Sequence, residues 1–249
     1  MEAREKLSAE PIPKIKAVLF DLDETLIDGQ AGLKATHNAV AGRLRHYLVR
    51  CGAKVSEERI RAKLRTLDDR MNVATNYNRD TWWPALLGEI DPKQKIPRQL
   101  VKELTRLYWT TYAGTSEPYP DAEPTLVYLK GKGYKLGLVT DTDGRKGWKK
   151  RRIKRFQFAE FFDTIVIGGE DTLRTKPDPE PSLLAASKLG LRASECVFVG
   201  DKPFTDIKGA KAAGMRTILL KRRDWGIGKR ADFTIKSLSE LPRVLGESE

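Results

Sequence analysis

Cysteine and histidine are scarce in this sequence, and their scarcity excludes several kinds of site. The 249 residues include two cysteines, Cys51 and Cys196, and two histidines, His37 and His46. The cysteines show no CxxC or zinc-type spacing and are too few for a disulfide framework, so we expect free thiols that are buried or half-buried. The histidines are not four residues apart and lack an HExxH context. We therefore expect them at the surface or on a helix and do not expect a catalytic role.

Long apolar segments and glycine-rich nucleotide motifs are also absent. No apolar run approaches the roughly 20 residues that span a bilayer, and residues 1–14 are too polar for a secretory signal. We therefore expect a cytoplasmic protein without a membrane partner, in which residues 1–14 form a frayed lead-in. The segment 144–150, GRKGWKK, lacks P-loop spacing, and Gly131, Gly133 and Gly137 precede a predicted strand instead of following one. These patterns argue against a nucleotide-binding Rossmann domain.

Positive charge, by contrast, is abundant. Lysine and arginine number 46 against 34 aspartate and glutamate residues, which gives a net charge of +12. This excess suits either an anionic partner or a solvated surface of the thermophile type, and we favour the surface for most of it. The densest run is Arg145 to Arg155, RKGWKKRRIKR. We favour a solvated helix outside the sheet for this run. A funnel for anionic substrates is the second interpretation, and a nucleic-acid patch is the least favoured.

Apolar patterns predict an α/β fold, a doubly wound parallel sheet with an inserted helical domain. Short apolar runs indicate strands that alternate with helical patterns in the second half of the chain. The predicted strands are Ala17–Phe20, Lys135–Val139, Thr164–Ile167, Cys196–Val199, Met215–Leu219 and Asp232–Ile235. Residues 29–115 show only helical periodicity, whereas a βαβ crossover needs a single helix. We therefore predict an α/β catalytic core of residues 1–28 and 116–249 and a helical cap domain of residues 29–115.

Acidic, hydroxyl and basic side chains follow four of these strands. In chain order they are Asp21 and Asp23, Thr140 and Asp141, Lys176, and Asp201 with Asp206 one turn later. Ligand sites in open α/β sheets lie beyond the carboxyl ends of the strands, so we expect these groups to converge. Each alone is typical of a turn, a helix cap or the surface. Together they suit a phosphoryl group and a divalent cation such as Mg²⁺, which would neutralise paired carboxylates.

Four segments carry a family resemblance. They are DLDET (residues 21–25), VTD (139–141), KPDP (176–179) and GDKPFTD (200–206). As a set, they resemble the four motifs of the haloacid dehalogenase-like (HAD) superfamily, over a stretch from about residue 16 to residue 219. The helical insertion after the first motif resembles the C1 cap of that superfamily's first subgroup. The resemblance implies a Rossmann-like core and a cap that closes over the cleft and selects the leaving group.

The resemblance also implies a role for each matching residue at the phosphate. Asp21 would be the nucleophile that forms an aspartyl phosphate, which splits one difficult displacement into two. Asp23 would be the general acid that protonates the leaving oxygen and then the base that activates water. Thr140 and Lys176 would hold the phosphoryl oxygens. Asp141 would lie beside them, at a position where many relatives have asparagine.

The metal site implied by the resemblance holds Mg²⁺. Its ligands would be Asp21, the backbone carbonyl of Asp23, and Asp201. Asp206 and Thr25 would lie behind these ligands, and the position of Asp206 varies within the family. Oxygen ligands of this kind are those that Mg²⁺ prefers.

The aspartate at position 23 decides between the chemistries of the superfamily. The resemblance implies phosphate-ester hydrolysis, because the dehalogenases do not rely on an aspartate there and the P-type ATPases carry a threonine. We predict a Mg²⁺-dependent phosphatase acting on a small phosphorylated metabolite, as a monomer or dimer. The alternatives are a 2-haloacid dehalogenase, a phosphomutase, and a non-catalytic module that binds anions or nucleic acid.

The cap offers several candidates for contact with the substrate. They are Arg43, Arg45, Tyr77, Arg79, Trp82 and Trp83. The segment from Tyr77 to Trp83 could lie at the mouth of the cleft. For the two tryptophans we favour burial in the cap's own small core.

Overall fold

A parallel β-sheet forms the centre of the protein. The computed structural model describes residues 14–226 and 230–246. In chain order the strands of these ranges are β1 (Ala17–Phe20), β2 (Ile27–Asp28), β3 (Glu117–Pro118), β4 (Lys135–Asp141), β5 (Thr164–Gly168), β6 (Cys196–Gly200), β7 (Arg216–Leu220) and β8 (Phe233–Ile235). The main sheet has the order β5-β4-β1-β6-β7-β8, with every pair parallel. The predicted doubly wound sheet is confirmed.

Helices fill the insertion and cover the sheet. The helices of the insertion are α1 (Gly29–Arg50), α2 (Glu57–Val73), α3 (Trp82–Ile90) and α4 (Arg98–Thr115). Those around the sheet are α5 (Ala122–Gly131), α6 (Trp148–Ile153), α7 (Glu180–Lys188), α8 (Lys208–Ala212) and α9 (Leu241–Val244). Local signals start and stop the first of them. The Asp28 side chain caps α1 by accepting from the Gln30 amide at 2.9 Å, and Gly52 follows its end at φ +85°.

The alternation of side chains on β1 builds two cores. Val18 and Phe20 face one apolar cluster, and Ala17 and Leu19 face the other. Helices α5, α6 and α9 contribute to the first cluster, and α7 and α8 contribute to the second. Both faces of the sheet are therefore covered, as a parallel sheet requires.

The insertion has an apolar cluster of its own. Trp82 and Trp83 are fully buried within it, together with side chains from α1, α2 and α4. Their predicted burial in the core of the cap is confirmed. On the strength of this separate cluster, we propose that residues 29–115 form a cap domain. The predicted α/β core also includes three ranges that lie outside the described residues, 1–13, 227–229 and 247–249. The first of these ranges contains all but the last residue of the frayed lead-in expected for residues 1–14.

Some local predictions are wrong. The run Arg145 to Arg155, expected to be a helix, is helical only over α6, which begins after Gly147 at φ +79°. Asp121 directly precedes α5, where an aspartate would be expected to cap the helix, but its carboxylate instead accepts from Arg222 at 2.6 Å and from the Leu238 amide at 3.0 Å. The pair β2–β3 was not predicted, since two-residue strands show no periodic pattern.

The rare residues fall mostly where expected. Cys196 is a buried free thiol, whereas Cys51 is exposed at the end of α1, which contradicts its predicted burial. His37 and His46 both lie on α1. Within the described ranges, no helix is both long and apolar enough to cross a bilayer.

Candidate active site

Lys176 lies at the centre of a buried carboxylate cluster at the carboxyl edge of the sheet. Its ammonium group donates to Asp21 Oδ1 at 2.6 Å, to Asp206 Oδ1 at 2.8 Å and to the Val139 carbonyl at 3.1 Å. Asp21 follows β1 directly, and Asp206 lies in the turn Pro203–Ile207 after β6. Burial raises the pKa of Asp21, and the charge of Lys176 offsets only part of that rise. The strand ends thus bring these predicted groups together.

Asp201 completes a set of three carboxylates. One oxygen from each of Asp21, Asp201 and Asp206 lies within 4.8 Å of the others. Asp201 is fully buried, and its Oδ1 has no hydrogen-bond partner among the described residues. Burial raises the pKa of Asp201 well above its usual range, although neighbouring Lys202 opposes the rise. A hard divalent cation would relieve this excess of negative charge, so the set fits Mg²⁺.

Asp23 has a different set of partners. Arg152 donates to its two oxygens at 2.5 and 2.8 Å, and Lys149 donates to Oδ2 at 2.7 Å. Tyr112 of α4 donates to Oδ1 at 2.9 Å. Burial raises the pKa of Asp23, but the charges of Arg152 and Lys149 outweigh burial and hold the pKa well below its usual value. Asp23 is therefore an ionised carboxylate in this arrangement.

The same two cations bind Asp143, which we did not predict from the sequence. Lys149 Nζ is 2.9 Å from Asp143 Oδ1, and Arg152 donates to both oxygens at 3.0 and 3.1 Å. Lys149 and Arg152 are each 4% exposed, so the expectation of a solvated helix is wrong for them. The exposed basic members of the run are Lys146, Lys150, Arg151, Lys154 and Arg155, and the expectation holds for Lys150 and Arg151, which lie on α6. Their three-residue spacing places 149 and 152 on one helix face, but other basic residues of the run share that spacing.

Asp141 positions the loop that carries Lys176. Its Oδ1 accepts from the Lys176 backbone amide at 3.0 Å, and its Oδ2 accepts from the Tyr77 hydroxyl at 2.9 Å. Thr140 is buried and lines the same cavity as Asp21. Thr25, the last residue of the first motif, is fully buried, and its hydroxyl has no partner within the described part of the chain. Contacts of Thr140 and Asp141 with phosphate stay predictions.

The cap meets the sheet edge through a short segment after α2. Tyr77 binds Asp141, and Asp80 pairs with Arg145 at 2.8 Å. The backbone of Tyr77 lies directly against Gly144. A cavity of about 80 Å³ lies between the two parts, lined from both sides. The proposed cap therefore covers the carboxylate cluster.

Only some of the predicted cap residues reach that cavity. Tyr77 and Arg79 line it. Arg43 instead makes a surface ion pair with Glu103 from α4, and Arg45 is exposed on α1. Of the predicted cap residues, those that remain candidates for contact with a substrate are therefore Tyr77 and Arg79, in the segment after α2.

Comparisons with known proteins identify the family of this chain. A family model described as haloacid dehalogenase-like hydrolase matches residues 15–214. The chain belongs to this family. A glyceraldehyde 3-phosphate phosphatase of Methanopyrus kandleri is 34% identical over 235 residues, which cover 92% of this chain and 91% of that relative. A phosphoglycolate phosphatase of Salmonella typhimurium is 33% identical over 83% of this chain and 81% of its own.

The HAD fold is also seen in similar structures. The crystal structure of a HAD phosphatase from Thermococcus onnurineus has a TM-score of 0.64 and 28% identity, and covers 94% of this chain and 99% of that one. Since the similar chains named here are phosphatases, the predicted superfamily and the predicted enzyme class, a HAD-type phosphoric monoester hydrolase, are confirmed.

Gly144 offers a test of the cap contact in this HAD hydrolase. Its φ is +83°, and a methyl group there would overlap the Tyr77 carbonyl. We expect Gly144→Ala to cost about 1–2 kcal/mol in the free energy of unfolding and to lower kcat/KM at least ~10-fold, because the cap segment must move. Gly52→Ala is the matched control: φ is +85° there, but nothing lies within 4 Å of the added carbon. Equal kcat/KM losses in both variants would contradict the contact.

Glu24 provides a second test, through pH. It is 5% exposed with its Oε1 unpartnered among the described residues, and burial raises its pKa to about 7, against an opposing effect of Lys202. Because the folded pKa is raised, protonated Glu24 gives its full stability below about pH 4.5 and loses it as pH rises through about 7. We expect Glu24→Gln to gain up to about 3 kcal/mol over wild type between pH 5 and 8, measured by urea unfolding in EDTA. The exposed control Glu58→Gln should show no such pH-dependent gain over wild type. A Glu24→Gln variant that also lacks this gain would refute the burial argument.

Proposed function

We propose that this HAD phosphatase hydrolyses a small phosphate monoester through an aspartyl phosphate on Asp21, with Mg²⁺ as its cofactor. The observation that carries the proposal is the carboxylate cluster around Lys176. A nucleophilic carboxylate, a fixed ammonium group and two further carboxylates meet there, and Asp21, Lys176 and Asp206 line one cavity. This combination suits a transferring phosphoryl group, whose charge needs cationic partners.

In the first step, an Asp21 oxygen attacks phosphorus and the bond between phosphorus and the leaving oxygen breaks. Asp23 donates a proton to that oxygen, which leaves as an alcohol. In the second step, water attacks the phosphorus of the aspartyl phosphate while Asp23 removes its proton, and Asp21 leaves as a free carboxylate. Lys176 and Thr140 donate to the phosphoryl oxygens in both steps. Asp141 supports Lys176 through the backbone amide.

Asp23 must change its protonation state during this cycle. With Arg152, Lys149 and Tyr112 bound to it, Asp23 is held as the base that the second step needs. Tyr112 belongs to α4, so opening of the cap removes one of these donors. We infer that Asp23 is protonated when the substrate enters the open cap, and that it regains this proton from water in the second step.

The carboxylates of Asp21, Asp201 and Asp206 would hold Mg²⁺, with the Asp23 backbone carbonyl as a further ligand. The ion would neutralise the carboxylates and the phosphate, as metals do in phosphoryl transfer. We expect EDTA to reduce phosphate release to background and Mg²⁺ to restore it. Added Mg²⁺ should also raise Tm, because a cation that binds only the folded chain stabilises it. Full activity in EDTA would contradict the proposed cofactor.

We propose a two- or three-carbon phosphate ester as the substrate. Relatives carry the names glyceraldehyde 3-phosphate phosphatase and phosphoglycolate phosphatase, and the cavity of about 80 Å³ favours a small leaving group. Such a metabolite would be met in the cytoplasm, which we propose as the location. A panel of both esters and p-nitrophenyl phosphate, run with and without Mg²⁺, tests this. Halide release from 2-chloropropionate without phosphate release would favour the dehalogenase alternative instead.

A further inference from the structure

Arg79 is a buried cation at the cap side of the active-site cavity. It lies in the turn Arg79–Thr81 and is 5% exposed. Its guanidinium carbon lies 3.6 Å from the ring centroid of Trp82, 4.7 Å from that of Tyr108 and 4.8 Å from that of Trp109. Aromatic rings therefore fix the plane of the guanidinium where it lines the cavity.

Most of the hydrogen-bonding capacity of Arg79 is unused. Its Nη2 donates to the Tyr108 hydroxyl at 3.3 Å, while Nε and Nη1 are buried without a partner among the described residues. The nearby carboxylates are engaged elsewhere: Asp68 accepts from Tyr108 at 2.8 Å, and Asp143 binds Lys149 and Arg152. Leaving two buried donors unpaired is costly, so their partner is expected to be a molecule that enters the cavity.

The other cations lining the cavity have partners or a different place. Lys149 pairs with Asp23 at 2.7 Å, Lys176 pairs with Asp21 at 2.6 Å, and Arg223 pairs with Asp69 at 3.0 Å. Lys202 directly follows Asp201, and its ammonium group donates to Asn72 Oδ1 of α2 at 3.4 Å. Arg79 is the cation that the cap contributes to the lining, and it makes no ion pair within the described ranges.

We propose that Arg79 binds a carbonyl-type oxygen, of a carboxylate or an aldehyde, on the leaving group of the substrate. This inference rests on the proposed phosphatase function, because the phosphoryl group must occupy the Lys176 end for the leaving group to face Arg79. A guanidinium whose plane is fixed by stacked rings suits a planar oxygen acceptor better than a flexible ammonium does. Arg79 would thus select among small phosphate esters by what their leaving groups carry.

The test compares 2-phosphoglycolate, glyceraldehyde 3-phosphate and ethyl phosphate, which has no such oxygen. We expect Arg79→Met to lower the ratio of kcat/KM for 2-phosphoglycolate over ethyl phosphate by at least ~30-fold, since the lost hydrogen bonds are charge-assisted. If the kcat/KM ratio of glyceraldehyde 3-phosphate over ethyl phosphate falls as well, Arg79 binds both the carboxylate and the aldehyde oxygen. If the ratio falls for one ester alone, Arg79 binds the oxygen of that ester. Arg43→Met removes the same charge from the cap surface and should leave the ratio unchanged.

Two further variants keep the outcome decisive. Arg79→Lys retains the charge and serves if Arg79→Met does not fold; its ratio should fall at least ~5-fold, because a single ammonium replaces the planar fork. Titration calorimetry with Asp21→Asn and Asp21→Asn/Arg79→Met measures the same selectivity in binding, without turnover. If wild type hydrolyses none of the three esters, the phosphatase proposal is refuted, but the role of Arg79 in binding is not. Unchanged selectivity in both the kinetic and the binding measurements, or an equal loss for all three esters, would overturn the role of Arg79.

Discussion

Asp21→Asn is expected to lower kcat for phosphate release by at least ~10⁴-fold, while the protein stays folded. The amide has nearly the shape of the carboxylate and still offers an acceptor to Lys176, which lies 2.6 Å from Oδ1. It lacks the negative charge and the nucleophilic oxygen that the first step requires. Phosphate release from p-nitrophenyl phosphate with Mg²⁺ gives the rate, and circular dichroism with a thermal melt reports the fold.

A trapping experiment separates a nucleophile from a residue that only binds the metal. Acid quenching of wild type during turnover of ³²P-labelled substrate should leave label on the protein that hydroxylamine releases, as an acyl phosphate requires. Asp21→Asn should retain none. Asp224→Asn makes the same change at a side chain that is 70% exposed and should match wild type. Full turnover without any trapped label would favour direct attack by water.

The part of the site that follows strands directly could be predicted from the sequence. The carboxyl ends of parallel strands meet at one edge of the sheet, so the sequence alone predicts that Asp21, Thr140 and Asp201 lie at that edge. Lys176 could be placed with them because its loop also follows a strand. The structure adds that its ammonium group bridges Asp21 and Asp206. Asp21 lies 155 residues before Lys176 in the sequence.

The part that depends on side-chain direction could not be predicted. Lys149 and Arg152 lie in a run of like charges, and composition alone does not reveal which members face inward. Their burial depends on two distant carboxylates, Asp23 and Asp143, which only the tertiary fold brings together. The same holds for Glu24, whose φ of +66° has no clear signal in DLDET. Tertiary contacts override local pattern at these positions, as is common at functional sites.

Arg152→Met is expected to destabilise the protein by roughly 3–5 kcal/mol at neutral pH. Methionine keeps much of the volume but leaves the half-buried Asp23 and the buried Asp143 with Lys149 as their shared cation. The neighbouring Arg151→Met removes the same charge from an exposed position on α6 and should stay within about 0.5 kcal/mol of wild type. Urea unfolding of the three proteins measures the difference, and equal stability of both variants would show that the buried pairs add nothing.

The pH dependence of Arg152→Met then identifies Asp23 as the group that Arg152 controls. Burial raises the pKa of Asp23, and Arg152 is the larger of the two charges that pull it well below its usual value. A depressed folded pKa gives stability above about pH 4 that is lost as pH falls further, so the loss of unfolding free energy in Arg152→Met should shrink below that pH.

Without Arg152, burial is less opposed and the pKa of Asp23 rises. The acidic limb of kcat, which reports the base form of Asp23, should therefore move to higher pH. A weakened protein whose acidic limb does not move would mean that Arg152 supports the fold but does not set the ionisation of Asp23.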